Sequence, residues 1–109
     1  MMKDFYDVLI VGGGPAGCGC ALSLHESNLQ VAIVDKESFP RDKVCGDAIP
    51  GPTFKVMDKI NKNWGVALRN FADKEEVKTS RAFVPNGQSF SINWKGYSYN
   101  SKRIHFDNF

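Results

Sequence analysis

The sequence predicts an α/β fold that opens on a β-α-β unit, and three observations carry that prediction. Tyr6-Asp7-Val8-Leu9-Ile10-Val11 is an apolar run ending in three glycines, short enough to be a strand buried on both faces. Pro15, whose fixed φ suits a first helical turn, then opens a stretch to about Ser27 that sets Ala16, Cys20, Ala21 and Leu24 on neighbouring faces. Val31-Ala32-Ile33-Val34 follows as a second buried strand and closes at Asp35. The first strand is expected at the centre of a sheet, with the helix packed back on it.

Each remaining element has its own signal. Asn28 tolerates the left-handed conformation in which helices often end, so the first helix should stop there. Lys36 to Gly51 has polar residues, two prolines and two glycines without either period, and reads as a long functional loop. Pro52 restarts an amphipathic helix with Phe54, Met57, Ile60 and Trp64 three or four residues apart, expected to end near Asn63-Trp64-Gly65. Pro85-Asn86-Gly87 separates alternating runs at Val77–Val84 and Gln88–Trp94, the signature of a β-hairpin insertion. Tyr97 and Tyr99 suggest another short strand, and Ser101 is placed to cap a final helix opening at Lys102-Arg103.

Composition narrows the function. The 109 residues, 42% hydrophobic and 24% charged, amount to one ordinary domain at most. A net charge of +2 disfavours nucleic-acid binding by bulk electrostatics, and no apolar run is long enough to cross a bilayer. Residues 1–50 nevertheless carry net −3 and residues 51–109 net +5, so the halves are suited to different work. Three cysteines, Cys18, Cys20 and Cys45, with no secretory leader at Met1-Met2-Lys3-Asp4, point to free thiols in a reducing cytoplasm. Their spacing and the isolated His25 and His105 argue against a metal site.

Gly12, Gly14 and Gly17 form G-x-G-x-x-G between a predicted strand and a predicted helix, with Asp35 closing the next strand. This is a Rossmann-like arrangement. Gly12 allows the tight turn, Gly14 lets the backbone approach a pyrophosphate, and Gly17 permits close helix-to-strand packing. The anion would sit at the helix N-terminus beside Pro15 and Ala16, where unpaired N–H groups and the aligned peptide dipoles favour negative charge. Asp35 would accept from ribose hydroxyls and would repel a 2′-phosphate, so the motif suits FAD or NAD.

The following loop separates these two. Asp7 to Asp35 together with Phe39-Pro40-Arg41-Asp42-Lys43-Val44-Cys45-Gly46-Asp47 resembles the geranylgeranyl reductase family, within the flavoprotein class of para-hydroxybenzoate hydroxylase and glutathione reductase type. The resemblance spans residues 4–52 and resumes at Arg103-Ile104-His105-Phe106-Asp107. It implies an FAD-binding domain whose cofactor contacts are Gly12, Gly14, Pro15, Ala16, Gly17, Asp35, Lys36, Arg41, Cys45, Gly46 and Arg103. Asp35 stands where Glu is usual, Asn28 where Gly is usual, and Asp47 where a second Gly is frequent.

The same resemblance implies that residues 1–109 correspond to the N-terminal part of a longer enzyme, without its substrate domain and second cofactor motif. The isolated chain, reaching only the ADP half of FAD, is expected to retain it weakly and to be inactive alone. The intact protein would reduce carbon–carbon double bonds of an isoprenoid lipid, drawing on NADPH or another reductant, with peripheral membrane association compatible with such a substrate. Monooxygenase or halogenase chemistry on the same fold, and a non-catalytic nucleotide-binding fragment, are the alternatives. No catalytic residue is identified.

Among the other residues singled out, Cys45 lies beside the cations Arg41 and Lys43, opposed by Asp42 and Asp47, and is read as a small residue packed near the cofactor. Cys18 and Cys20 are read as core filler, and Gly19 as a site of close backbone approach. Phe83, Phe90, Trp94, Tyr97 and Tyr99 are expected in strand or core packing.

Overall fold

A computed structural model describes residues 5–96 and 98–109, so the expectation for Tyr97 lies outside the described residues. The β-α-β unit forms as predicted. Strand β1 (Val8–Val11), helix α1 (Pro15–Ser23) and strand β2 (Val31–Val34) follow in order, with β1 and β2 parallel in the register Val8 opposite Val31. The Gly12 N–H donates to the Val34 carbonyl at 2.7 Å and carries the pairing one residue past the strand.

Burial of β1 on both faces does not hold. Ile10 is buried, whereas Leu9 and Val11 are exposed, because α1 covers one face of the two-stranded sheet and no described element covers the other. Helix α1 is also shorter than its pattern. After Ser23 the backbone closes i to i−3 bonds from Leu24, His25 and Ser27, while the Ser23 and Ser27 hydroxyls donate to the Gly19 and Leu24 carbonyls and compete with helical pairing. His25 therefore follows the helix, and its ring packs against Trp64 at a tilt of 57° with centroids 4.5 Å apart.

The predicted single helix from Pro52 is two. Helix α2 spans Gly51–Ile60 and α3 spans Lys62–Asn70, divided at Asn61. The Asn61 backbone is extended, and its side chain accepts from the Asn63 N–H at 2.9 Å, so one residue ends the first helix and caps the second. Their meeting is braced by the Asp58–Arg69 ion pair.

Within the long loop a two-residue strand, β3 (Ala48–Ile49), joins β7 (Tyr99–Asn100) and β4 (Glu75–Glu76) in an antiparallel sheet ordered β3-β7-β4. Its inner side meets the two helices: Ile49, Phe54 and Leu68 are buried together, with Met57, Tyr99 and Phe106 packed around them. Each such side chain contributes roughly 1.5–3 kcal/mol on burial. Tyr99 is thus a core neighbour, its ring 5.3 Å from Phe54.

The hairpin forms with β5 (Thr79–Phe83) against β6 (Ser89–Asn93). Contrary to expectation, Phe83, Phe90 and Trp94 are exposed, because this ribbon pairs only with itself among the described residues. Ser101 does not cap the last helix, α4 (Arg103–Phe106). It is buried, its hydroxyl donates to the Asp73 carbonyl at 2.6 Å and its N–H to the Asp47 carbonyl at 2.8 Å, so it pins two loops at the base of α4. No helix among the described residues is long and apolar enough to cross a membrane.

Candidate dinucleotide-binding site

Between β1 and α1 the chain must reverse within three residues, and glycine makes this feasible. Gly12 has φ +106°, a conformation that side chains rarely adopt. An ideal Cβ built on Gly17 would lie 1.8 Å from the Gly12 carbonyl oxygen and 3.2 Å from Ile10 Cγ2, so helix and strand are in contact through bare backbone. Gly19, by contrast, has nothing within 4 Å of such a Cβ, which removes close backbone approach as its reason.

Asp35, at the end of β2, reaches back to this loop. Its Oδ2 accepts from the Gly13 N–H at 2.7 Å and its Oδ1 from the Glu37 N–H at 2.9 Å. These bonds, the Glu37 one foremost, hold its carboxyl below the ordinary 3.8. Each oxygen keeps acceptor capacity for a further donor. The tie to Gly13 was not anticipated; the glycine next to a motif glycine and the acid about twenty residues on were its separate signals.

Two arginines close the site from the far side. Arg41, on the long loop, lies with its guanidinium 4.7 Å over the Phe39 ring, and that ring in turn covers Gly13. A Cβ on Gly14, the residue preceding α1, would be 3.3 Å from Arg103 Nη2 and 3.7 Å from Arg41 Nη2. Both cationic groups therefore face the N-terminal end of α1. Asp107 joins them: Arg103 donates through Nε to Oδ1 at 2.6 Å and through Nη2 to Oδ2 at 2.7 Å, and Arg41 Nη1 donates to Oδ2 at 2.6 Å. The Asp107 side chain is fully enclosed, and its bonds raise the Arg103 pKa.

The residues so arranged border one cleft of about 1220 Å³, lined by Gly12, Gly14, Pro15, Ala16, Gly17, Asp35, Lys36, Arg41 and Arg103, nine of the eleven expected contacts. Val11, Val34, Glu37, Asp42 and Lys43 complete the wall. This volume exceeds the roughly 300–1,000 Å³ of ordinary small-ligand pockets and suits an elongated dinucleotide.

Cys45 and Gly46 stand apart. Gly46 borders a smaller cleft with Asp73, Ser101 and His105, and Cys45 is exposed rather than packed. Its thiol pKa is lowered chiefly by the Asp47 backbone N–H and then by Arg103, so the cation that matters is neither Arg41 nor Lys43. Cys20 is exposed and Cys18 half-buried, which corrects the core-filler reading. The Cys18 thiol donates to the Gly13 carbonyl at 3.2 Å, and burial pushes its pKa up. No group of three or more His, Cys, Asp or Glu suited to a metal occurs among the described residues.

Residues 7–42 match the family described as FAD binding domain. Digeranylgeranylglycerophospholipid reductase of Methanosarcina acetivorans is 34% identical over 87 residues, covering 79% of this chain and 19% of that protein. The chain belongs to the FAD-binding flavoproteins of the geranylgeranyl reductase family. Another relative, menaquinone reductase of Mycolicibacterium smegmatis, is 46% identical over 98 residues, covering 90% of this chain and 22% of the relative. Among solved structures, a geranylgeranyl bacteriochlorophyll reductase-like protein of Thermoplasma acidophilum superposes with a TM-score of 0.68 at 27% identity, covering 94% of this chain and 26% of its own. The chain thus spans about a fifth of the length of the curated relatives it matches. FAD is the cofactor of this family, and the cleft fits its ADP half: an anion seated at Gly14 would meet the start of α1 on one side and two guanidiniums on the other.

Proposed function

We propose that Gly12, Gly14, Pro15, Ala16 and Gly17 cradle the FAD diphosphate, with Arg41 and Arg103 neutralising it and Asp35 accepting from the adenosine ribose. The observation that carries this reading is the convergence of both guanidiniums on Gly14, where only a residue without a side chain leaves room for phosphate oxygens. Lys36 lines the same wall and supplies a further cation. Cys45 and Gly46 contribute indirectly, Cys45 through its electrostatic interaction with Arg103.

For the intact protein the proposal is a FAD-dependent oxidoreductase that saturates carbon–carbon double bonds of an isoprenoid lipid. Two relatives support it by name, one a phospholipid reductase and the other a menaquinone reductase. Bound FAD supplies hydride transfer, while this chain's residues hold its distant half and leave the reacting ring to other parts of the protein. NADPH or another reductant would recharge the flavin. The reading includes a cytoplasmic setting, in keeping with three free cysteines, and peripheral contact with the membrane that carries the substrate.

Purified full-length protein should be yellow, bleach on anaerobic reduction, and regain its colour when a geranylgeranyl lipid is added, with the lipid product heavier by two hydrogens per bond reduced. A colourless protein overturns the cofactor assignment. A flavoprotein that consumes oxygen with its organic substrate and leaves isoprenoid lipids untouched overturns the substrate assignment in favour of monooxygenase or halogenase chemistry.

A further inference from the structure

We propose that Asp107 is a positioning residue for the diphosphate site, aiming Arg41 and Arg103 at Gly14 without itself facing the cleft. This rests on the cofactor reading above and adds a residue to it. Asp107 is absent from the cleft wall, and its side chain is fully enclosed, yet it engages both arginines that face the helix N-terminus.

A guanidinium has five N–H groups in a fixed fork. Arg103 directs Nε and one Nη2 hydrogen to Asp107, and Arg41 directs one Nη1 hydrogen to the same carboxylate. The Nη2 group of each remains turned toward Gly14, at 3.3 and 3.7 Å from the Cβ position there. Arg41 is held on its other side by the Phe39 ring and by Asp35, whose Oδ2 is 3.9 Å from Arg41 Nη2. Two long side chains from segments 62 residues apart in numbering are thereby fixed at one point, their ordering entropy met before any ligand arrives.

A general electrostatic account makes the opposite prediction. Removing a negative charge near a bound anion should strengthen anion binding, since the local potential becomes more positive. If positioning dominates, binding weakens instead.

The test uses full-length protein stripped of flavin, with ADP and adenosine as competitors of FAD uptake. Wild-type protein should prefer ADP clearly. In Asp107→Asn, which keeps one acceptor oxygen but presents an amide donor to the arginines, ADP affinity should fall about 10- to 100-fold, the span of a lost charge-assisted hydrogen bond, with adenosine affinity nearly unchanged. A merely structural defect would lower both alike. The Asp107→Asn effect should also shrink in an Arg103→Lys background, where the fork is already lost. Asp107→Glu, which keeps the charge and shifts the fork by a methylene, carries the same test if the amide variant does not fold. An unchanged or increased ADP-to-adenosine preference in a folded variant overturns the role of Asp107. A wild-type protein without preference for ADP overturns the diphosphate reading itself.

Discussion

Gly17→Ala and Gly19→Ala place the same methyl group on one helix, two residues apart, and should change stability in opposite directions. Alanine gains about 0.5–1 kcal/mol over glycine inside a helix by narrowing the unfolded ensemble. At Gly19, with open space around the Cβ position, nothing opposes that gain. At Gly17 the methyl would sit 1.8 Å from the Gly12 carbonyl oxygen, against a floor of 3.0 Å that Cβ contacts essentially never cross, so α1 must retreat from β1 by about 1.2 Å. The obstacle is backbone in a turn that already requires positive φ, not the tip of a flexible side chain, and overpacking of this kind typically costs about 1–3 kcal/mol. The net expectation for Gly17→Ala is a loss of up to about 2.5 kcal/mol and, because the helix start moves with the helix, roughly tenfold or weaker FAD affinity. Urea unfolding of the full-length apoprotein and flavin fluorescence titration measure the two effects. Equal responses at both glycines would refute the steric argument.

Three further outcomes are expected. Gly14 has φ −77° and ψ −176°, open to any residue, so Gly14→Val should leave unfolding within about 0.5 kcal/mol of wild type while abolishing FAD retention by filling the phosphate position; retained flavin refutes it. Because the Asp35 carboxyl is held below its ordinary 3.8, its contribution to stability is fully present above that pH and is lost as pH falls through the lower folded value; the wild-type advantage over Asp35→Asn in urea midpoints should be flat from neutrality to about pH 4 and disappear only below it. The Cys45 thiol lies below its ordinary 9.0 and is exposed, so peptide-resolved iodoacetamide labelling should show Cys45 reacting at a lower pH than an unperturbed thiol, with its midpoint moved upward in Arg103→Gln; an unmoved midpoint removes Arg103 as a cause.

Local signals made the first half of the fold legible. The apolar runs and the glycine spacing act within a few residues, and the structure puts the positive-φ turn at Gly12 and the bare helix-to-strand contact at Gly17 as their separate steric reasons require. The break at Asn61 escaped because Phe54, Met57, Ile60 and Trp64 keep a helical period straight through it, while the feature that divides the helices is one extended residue with a capping side chain. Alternation in the hairpin identified its strands correctly but not their surroundings, since a period of two says which side chains share a face and not whether anything lies against it. Asp107 was visible as the end of an Arg-x-x-Phe-Asp run, and its i, i+4 spacing from Arg103 hinted at their pairing. Its second partner, 66 residues earlier, left no local trace.

That long separation sets an order of events during synthesis. A polypeptide still emerging from the ribosome can close its glycine turn once β2 has followed β1, and Asp35 is already beside Arg41, yet the carboxylate that Arg41 bonds at 2.6 Å is made 66 residues later. Until the fourth helix has been translated and docked, Arg41 and the start of α1 are without the enclosed carboxylate that ties Arg41 to Arg103.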